Sequence, residues 1–523
     1  MTTLPHLITS ESTFQPLSEL IRGHARAQPE APALCDALTL LSYAALNERM
    51  DRVAAALQRE GVKAGQCVAI CALSGVDYAC VFLGALRAGV VVAPLAPSVT
   101  PQILTGMLRD AQASLLFLDE AARELVQPEM LALPRIALDG SAAGQSLEIW
   151  LAPAGSTPSA VSVAAEAAFN IIYSSGTTGT PKGIVQSHGM RWTHMRRGLT
   201  YGYSPRTRSL VSTPLYSNTT LVVFFPTLAL GGCVRIMPKF NAAEYLALAE
   251  LHHITHTMLV PVQYQRIMDC ADFDCRDLSS FQVKFCTSAP FAAPLKADVI
   301  QRWPGALIEF YGMTEGGGTC ILNAHEHPEK LHTVGQPAEG HDIRLIDEEG
   351  HELPAGSTGE VVGHSPAMMT GYYGQPEKTS EAEWYDPSGR RFIRTGDVGR
   401  FDAEGFLTLV DRRKDMIISG GFNLYPSDLE AVLREHPKIQ EVAVVGMPSR
   451  EWGETPVAYV VLRKGLRASQ EDLLQWYQQR VGKTQRLSAL YFLSELPRSA
   501  IGKVLKRELR DLNHTTALSA ASA

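Results

Sequence analysis

The stretch from Cys67 to Asp119 constrains the fold most. It runs as an apolar segment CVAICAL, a helical segment DYACVFLGALRAG, a second apolar segment VVVAPL and, further on, SLLFLD. Strand-length apolar runs separated by a helix-length segment call for a crossover connection. The strands then lie parallel and need cover from helices. Just upstream, Leu46, Met50, Val53 and Leu57 recur on one face of a helix, with Ser42 placed to cap its start and Gly61 to stop it. The fold class expected is α/β.

The alternation changes twice along the chain. From about Asp139 to Ala165 the sequence turns to Ala, Ser, Gly and Pro, which reads as a surface linker or a long loop. The α/β pattern then resumes to about residue 335. Between Ile343 and Thr408 short strands and turn signals dominate, including Glu349-Gly350 and Pro354-Ala355-Gly356, which predicts a small β-rich subdomain. Beyond Asp411 a helix is expected after Ser427, followed by strands VAVVG and PVAYVVL, helix SQEDLLQWYQQR, strand LYFL and a basic helix KVLKRELR. The expected organisation is a large N-terminal α/β domain over residues 1–410, its β-rich subdomain at about 336–410. A hinge at 411–415 and a small mobile C-terminal α+β domain at 416–523 complete it.

Charge and cysteine content narrow the function. Lys and Arg total 47 against 54 Asp and Glu, a net charge of −7, which disfavours a generally basic nucleic-acid binder but not local binding of an anionic nucleotide. No apolar run approaches the roughly 20 residues of a membrane helix, and the first residues lack a basic segment followed by an apolar one. The nine cysteines are odd in number, contain no Cys-x-x-Cys and sit mostly in apolar runs, so they read as reduced core residues of a cytoplasmic protein, with no zinc site.

The most informative segment runs from Tyr173 to Gly183 and contains Ser174, Ser175, Gly176, Thr177, Thr178, Gly179 and Lys182. It follows the apolar run FNII. A hydroxyl- and glycine-rich loop offers backbone N–H groups and hydroxyls to phosphate oxygens, and Lys182 supplies positive charge. It is not a G-x-x-x-x-G-K-[ST] loop, because Pro181 precedes the lysine and Gly183 follows it. Phe310-Tyr311-Gly312-Met313-Thr314-Glu315 places a carboxylate beside a hydroxyl, a pairing that suits Mg²⁺. Further polar clusters are Arg394-Thr395-Gly396-Asp397, Asp411-Arg412-Arg413-Lys414-Asp415, Ile418-Ser419-Gly420-Gly421 and Leu496-Pro497-Arg498-Ser499-Ala500-Ile501-Gly502-Lys503. The adjacent glycines Gly420 and Gly421 permit close backbone approach to a ligand.

From about residue 15 to about 510 these motifs resemble, in order, those of the adenylate-forming enzymes: acyl- and aryl-CoA synthetases, adenylation domains of peptide synthetases, and luciferases. The resemblance implies an ATP-dependent carboxylic acid–CoA ligase that works through an acyl-adenylate, with ATP, Mg²⁺ and coenzyme A as cosubstrates and cofactor. The loop Ser174–Gly179 and Lys182 would bind the phosphates, with Thr177 and Glu315 holding the metal. Tyr311 and Gly312 would lie against adenine, edged by Ser288, Ala289 and Pro290, and Thr314 would touch the α-phosphate. Asp397 and Arg412 would reach the ribose. Lys503 is carried over as the catalytic lysine of adenylation, Lys414 as the hinge, and Gly420, Gly421 and Trp452 as coenzyme A contacts. The acid pocket is expected from Tyr216, Ser217, Asn218, Gly316 and Gly317. The partners implied are a small carboxylic acid, ATP and coenzyme A, with no nucleic acid and no membrane span; a homodimer is compatible.

Two departures bear on the substrate. Pro214-Leu215-Tyr216-Ser217 carries Ser217 where many acyl-CoA synthetases place a gating histidine, and Gly482-Lys483-Thr484-Gln485 replaces the usual Tyr-Lys-x-Pro. The acid expected is aromatic, heteroaromatic or alicyclic. The alternatives are a medium-chain fatty acid, or a stand-alone enzyme that loads a carrier-protein thiol. His188, the pair His252-His253, and His325 and His327 read as structural or surface residues.

Overall fold

Ser42 caps the helix Tyr43–Arg59 by accepting from the Ala45 N–H at 3.3 Å, and the face Leu46, Met50, Val53 and Leu57 is fully buried. Gly61, at φ 77°, ends the turn that follows. The apolar runs form the parallel strands Cys67–Cys71, Val91–Leu95 and Ala113–Leu118, with the helix Val76–Arg87 as the crossover. In the computed structural model the described residues are 8, 9, 11–127, 132–174, 182–412, 415–419, 422–449, 452–482, 485–499 and 502–512.

The chain packs as two units. The first takes the residues up to Asp342 together with Gly363–Ile393; the second takes Ile343–Val362 and the described residues from Arg394 onward. The architecture is the mixed α/β fold expected, with a large N-terminal and a smaller C-terminal domain.

The first unit holds two large sheets. One has eight strands in the order Gly371–Tyr372, Lys182–Ser187, Ala168–Ser174, Val91–Leu95, Cys67–Cys71, Ala113–Leu118, Arg135–Ala137 and Gln145–Ser146. The other has nine, running Gln336–Pro337, Thr319–Asn323, Ala306–Gly312, Val283–Cys286, His256–Leu259, Arg208–Val211, Cys233–Ile236, Pro32–Cys35 and Leu40–Ser42. Both are parallel at the centre and antiparallel at the margin. One apolar core joins the helices Tyr43–Arg59, Val76–Arg87 and Asn218–Ala229 to strands of both sheets. The stretch expected as a plain loop near Asp139–Ala165 instead carries the short helix Leu147–Trp150. Trp150 is buried edge-on against Phe117, with ring centroids 5.1 Å apart, so this segment closes the core.

In the second unit a sheet runs Phe422–Leu424, Ile417–Ser419, Gly453–Leu462 and Ile439–Ser449, with Ala489–Phe492 parallel to Gly453–Leu462. Alternate residues serve two cores, as the two-residue period of a strand requires. Val442, Val444, Ala458 and Val460 pack on the helices Pro426–Arg434 and Gln470–Gln478, while Ala443, Val445, Val457 and Tyr459 meet Leu496 and Leu509. The helix expected after Ser427, from Asp428, begins two residues earlier, at Pro426. Proline fits the first helical position because its fixed φ suits the helix and it has no N–H to leave unpaired. Ser427 does not cap; its hydroxyl donates to the Val410 carbonyl.

All nine cysteines are free, and six of them are buried. Among the described residues no helix is long and apolar enough to cross a membrane, and no three His, Cys, Asp or Glu side chains gather as a metal cluster. His188 is buried edge-on against Phe169, and burial pushes its imidazole down to about 4. The native state therefore resists protonation that the unfolded chain accepts near the usual histidine value. Stability from this site is complete above pH 6.5 and is lost as the pH falls toward 4, by about 3 kcal/mol. In urea titrations at pH 7 and pH 4.5, His188→Phe should lose less stability on acidification than the parent; equal losses would remove His188 as the cause.

Candidate active site

The Ser/Thr/Gly loop is the connection of an antiparallel pair. Ala168–Ser174 and Lys182–Ser187 align with Tyr173 opposite Gly183 and Ser174 opposite Lys182. Ser175, Gly176, Thr177, Thr178 and Gly179 lie outside the described residues, and of Ser174 only the strand backbone is described. The Lys182 ammonium lies over the Tyr372 ring, 4.7 Å from its centroid. The Tyr372 hydroxyl donates to Glu315 Oε1 at 2.9 Å. Burial and the neighbouring Glu315 carboxylate both raise the Tyr372 phenol, so it stays protonated and able to donate. Lys182 and Glu315, far apart in sequence, are thus joined through one side chain.

Glu315 lies in the turn of the hairpin formed by Ala306–Gly312 and Thr319–Asn323, with Gly312 opposite Thr319. The turn is pinned from one side. Gly316 N–H donates to Met313 O at 3.0 Å, Met369 N–H to Glu315 O at 2.8 Å, and the Ser365 hydroxyl to Gly316 O at 2.6 Å. Gly316 has φ 73°, and a Cβ there would fall 1.9 Å from the Ala367 carbonyl oxygen. Gly317 is equally confined, its virtual Cβ 2.5 Å from Ile393 Cβ. These glycines therefore let the segment around Ala367 press on the turn.

A buried polar network supports the same turn from below. Gln186 Nε2 donates to the Thr314 carbonyl at 2.8 Å and reaches Asn218 Oδ1 at 3.4 Å. Arg191, with no exposed surface, donates from Nη1 to Asn218 Oδ1 at 2.9 Å, from Nε to Asn170 Oδ1 at 3.0 Å and from Nη2 to Gln186 Oε1. Burial lowers the Arg191 guanidinium to about 9, and its hydrogen-bond partners are amide oxygens. Ser217 caps the helix Asn218–Ala229 through the Thr219 N–H at 3.3 Å and is buried. The residue at the expected gate position is therefore engaged in starting that helix. Tyr216 is half-buried, which raises its phenol.

Ser288 adopts φ 80°, a left-handed conformation rare for a residue with a side chain, and its hydroxyl meets Thr219 Oγ1 at 2.6 Å. Strain of this kind gathers at functional loops, where the surrounding structure holds it. Ala289 and Pro290 continue this loop after the strand Val283–Cys286, and Tyr311 is the last residue but one of the neighbouring strand Ala306–Gly312.

In the second unit Asp397 and Arg412 are paired across the strands Arg391–Phe401 and Leu407–Arg412. Asp397 N–H donates to the Thr395 hydroxyl at 3.0 Å, while Arg394 is tied to Glu360 at 2.5 Å. Lys503 follows Gly502, at φ 74°, in a tight turn where Ser499 N–H donates to Lys503 O at 2.8 Å. Trp452 is about half exposed, and its N–H donates to the Ser449 hydroxyl at 3.2 Å. Lys414, Gly420 and Gly421 lie outside the described residues.

The site thus places Lys182, Thr314 and Glu315 together, with Asn218 and Ser288 held beside them. Sequence reasoning missed Tyr372, Gln186 and Arg191. Tyr372 sits in a turn-rich stretch, and Gln186 and Arg191 sit in a strand and a helix whose patterns are unremarkable in one dimension. A lysine and a carboxylate clasped by one tyrosine, on a mostly parallel α/β framework, suit an enzyme that handles a nucleotide.

The chain belongs to the AMP-binding enzyme family: residues 21–373 match that family's pattern and residues 428–503 match that of the AMP-binding enzyme C-terminal domain. It is similar to a feruloyl-CoA synthase from Amycolatopsis sp, 32% identical over 93% of this chain and 96% of that one. It is also similar to an indoleacetate–CoA ligase from Aromatoleum aromaticum, 32% identical over 95% of this chain and 98% of that one. The crystal structure of ATP-bound MatB from Rhodopseudomonas palustris superposes with a TM-score of 0.86 at 28% identity, covering 95% of this chain and 99% of that one. The protein is an acid–thiol ligase that uses ATP.

Proposed function

We propose that the protein joins an aromatic carboxylic acid to coenzyme A through an acyl-adenylate. The observation that carries the reading is the clasp of Lys182 and Glu315 by Tyr372, which holds a cation and a hard oxygen ligand close together. In the first step a carboxylate oxygen attacks the α-phosphorus of ATP, the bond to the bridging oxygen breaks, and pyrophosphate leaves. Both reactants are anionic, so positioning and charge neutralisation matter more than a base. Lys182 would neutralise the terminal phosphates, and Lys503 would supply positive charge to the carboxylate and the α-phosphate during adenylation. In the second step the thiol sulfur attacks the acyl carbon, AMP leaves, and the thiol proton passes to solvent. Gly420, Gly421 and Trp452 serve this second step, Asp397 and Arg412 hold the ribose, and Lys414 takes up the dihedral change between the two steps.

The donor set suits Mg²⁺: a Glu315 carboxylate steadied by a neutral phenol, with Thr314 its neighbour in sequence, offers hard oxygen only. Bound there with Thr177, the ion would offset charge on the departing pyrophosphate. Tyr372 orients the Glu315 carboxylate, so Tyr372→Phe should raise the Mg²⁺ concentration for half-maximal activity by about 10-fold at saturating ATP, as loss of a ligand's own partner does. An unchanged requirement would show that Glu315 does not hold the metal.

The choice of an aromatic acid follows the similar proteins. The similar feruloyl-CoA synthase and indoleacetate–CoA ligase are named for aromatic acids. Pyrophosphate release over a panel of aryl acids, with the thioester product identified by mass, tests the proposal. Acid-dependent pyrophosphate without acyl-CoA would move the acceptor to a carrier-protein thiol, and no acid-dependent pyrophosphate would overturn the reading.

A further inference from the structure

The helix His188–Arg197 presents Arg191, His194 and Arg197 at intervals of three residues. Arg191 is accounted for by its amide network. Arg197 is not. Its guanidinium lies over the Phe310 ring, 5.1 Å from the centroid, one residue before Tyr311. The groups facing it are Tyr201, Tyr203, His194 and His341, none of them a carboxylate. Among the described residues it has no hydrogen-bond acceptor and no ion pair, yet it is closely surrounded by protein and retains accessible surface. An enclosed cation ordinarily finds an anion, because removing it from water unpaired is costly.

The two histidines reinforce the asymmetry. His194 Nδ1 is buried without a hydrogen-bond partner. His341 Nδ1 accepts from the Thr319 N–H at 2.9 Å, which leaves the ring proton on Nε2. Thr319 is the strand partner of Gly312, so His341 sits at the base of the hairpin that carries Thr314–Gly317. Burial lowers both rings, His341 to about 4, with Arg197 adding to the effect on each. At neutral pH the cluster is one guanidinium with neutral imidazoles beside it, against the aromatic wall Tyr201, Phe285 and Phe310.

We propose that Arg197, flanked by His194 and His341, forms an anion-accepting end of the acid pocket, and that the preferred substrate is an aromatic acid carrying a second carboxylate. This inference rests on the acid–CoA ligase reading. The guanidinium fork matches a carboxylate in two parallel hydrogen bonds, and a ring bearing two carboxylates would span from one acid-binding end to the other. One carboxylate meets Arg197, and the other is left for activation near Thr314.

The test pairs each aryl acid with the same acid bearing a ring carboxylate and with the methyl ester of that second group. The diacid should show a kcat/KM about 10- to 100-fold above its ester, the range expected of a charge-assisted contact. Arg197→Met should abolish that difference through KM while moving the ester's kcat/KM less than about threefold. Arg197→Lys should keep part of it, since the charge remains without the fork. A binding arm separates this inference from the ligase reading: isophthalate should raise the melting temperature of the parent and of Arg197→Lys, but not of a folded Arg197→Met. Preference for the ester in the parent, or equal loss on both substrates in Arg197→Met, would overturn the anion-accepting end and leave the ligase standing if esters are still activated. If no acid of any kind releases pyrophosphate, the ligase reading falls, and isophthalate binding then reports on Arg197 alone.

Discussion

Lys503→Ala should lower acid-dependent pyrophosphate release by about 10²–10³-fold, roughly 3–4 kcal/mol of transition-state stabilisation for a lost oxyanion-type donor. It should leave thioester formation from supplied acyl-AMP largely intact. The turn that carries Lys503 has supports of its own. The Lys503 turn is made by backbone and by neighbours: Arg498 donates to Gly502 O at 2.6 Å and to Glu441 at 2.5 Å, and Leu505 N–H donates to Pro497 O at 2.8 Å. Leu496 and Leu509 anchor the segment in the core of the second unit. A melting temperature measured on the same variant separates loss of chemistry from loss of fold. Equal loss of both half-reactions would sink the division of labour between Lys503 and the Gly420-Gly421 segment.

Gly316→Ala should fail in a different way, losing stability and adenylation together. The added methyl would sit 1.9 Å from the Ala367 oxygen at φ 73°, and both partners are backbone with no rotamer to turn away. Overpacking of this kind and an unfavourable φ together cost at least about 3 kcal/mol. Gly340→Ala supplies the control. Its φ is 75°, but a Cβ there meets nothing within 4 Å. It should cost only about 1 kcal/mol and spare activity. Thermal melts of the two variants beside a pyrophosphate assay separate crowding from backbone strain. A native melting temperature for Gly316→Ala would show that the Ala367 segment does not press on the turn.

What the sequence disclosed was local. The helix Tyr43–Arg59 with its Ser42 cap, the strands Cys67–Cys71 and Val91–Leu95 and the sheet of the C-terminal unit were legible, because each writes a short period into consecutive residues. Lys182, Thr314 and Glu315 were legible as motifs. The tyrosine that joins two of them was not, since Tyr372 reaches Glu315 only after Gly371–Tyr372 pairs with Lys182–Ser187. The Arg191 network drew on Asn170, Gln186 and Asn218, three amides from two strands and a helix that share no spacing. Ser427 and Trp150 misled for the same reason, as a tertiary partner decided the role of each.

The strand Pro32–Cys35 has a consequence for synthesis. It belongs to the nine-stranded sheet, beside Cys233–Ile236, although the strands that follow its hairpin in sequence, Cys67–Cys71 and Val91–Leu95, build the other sheet. Translation at 5–20 residues per second brings the partner strand out roughly 10 to 40 s later. For that interval only the hairpin with Leu40–Ser42 can satisfy it, leaving one edge of the strand open on the ribosome. Its brevity and its leading proline make that wait less hazardous, since both discourage pairing with a foreign edge.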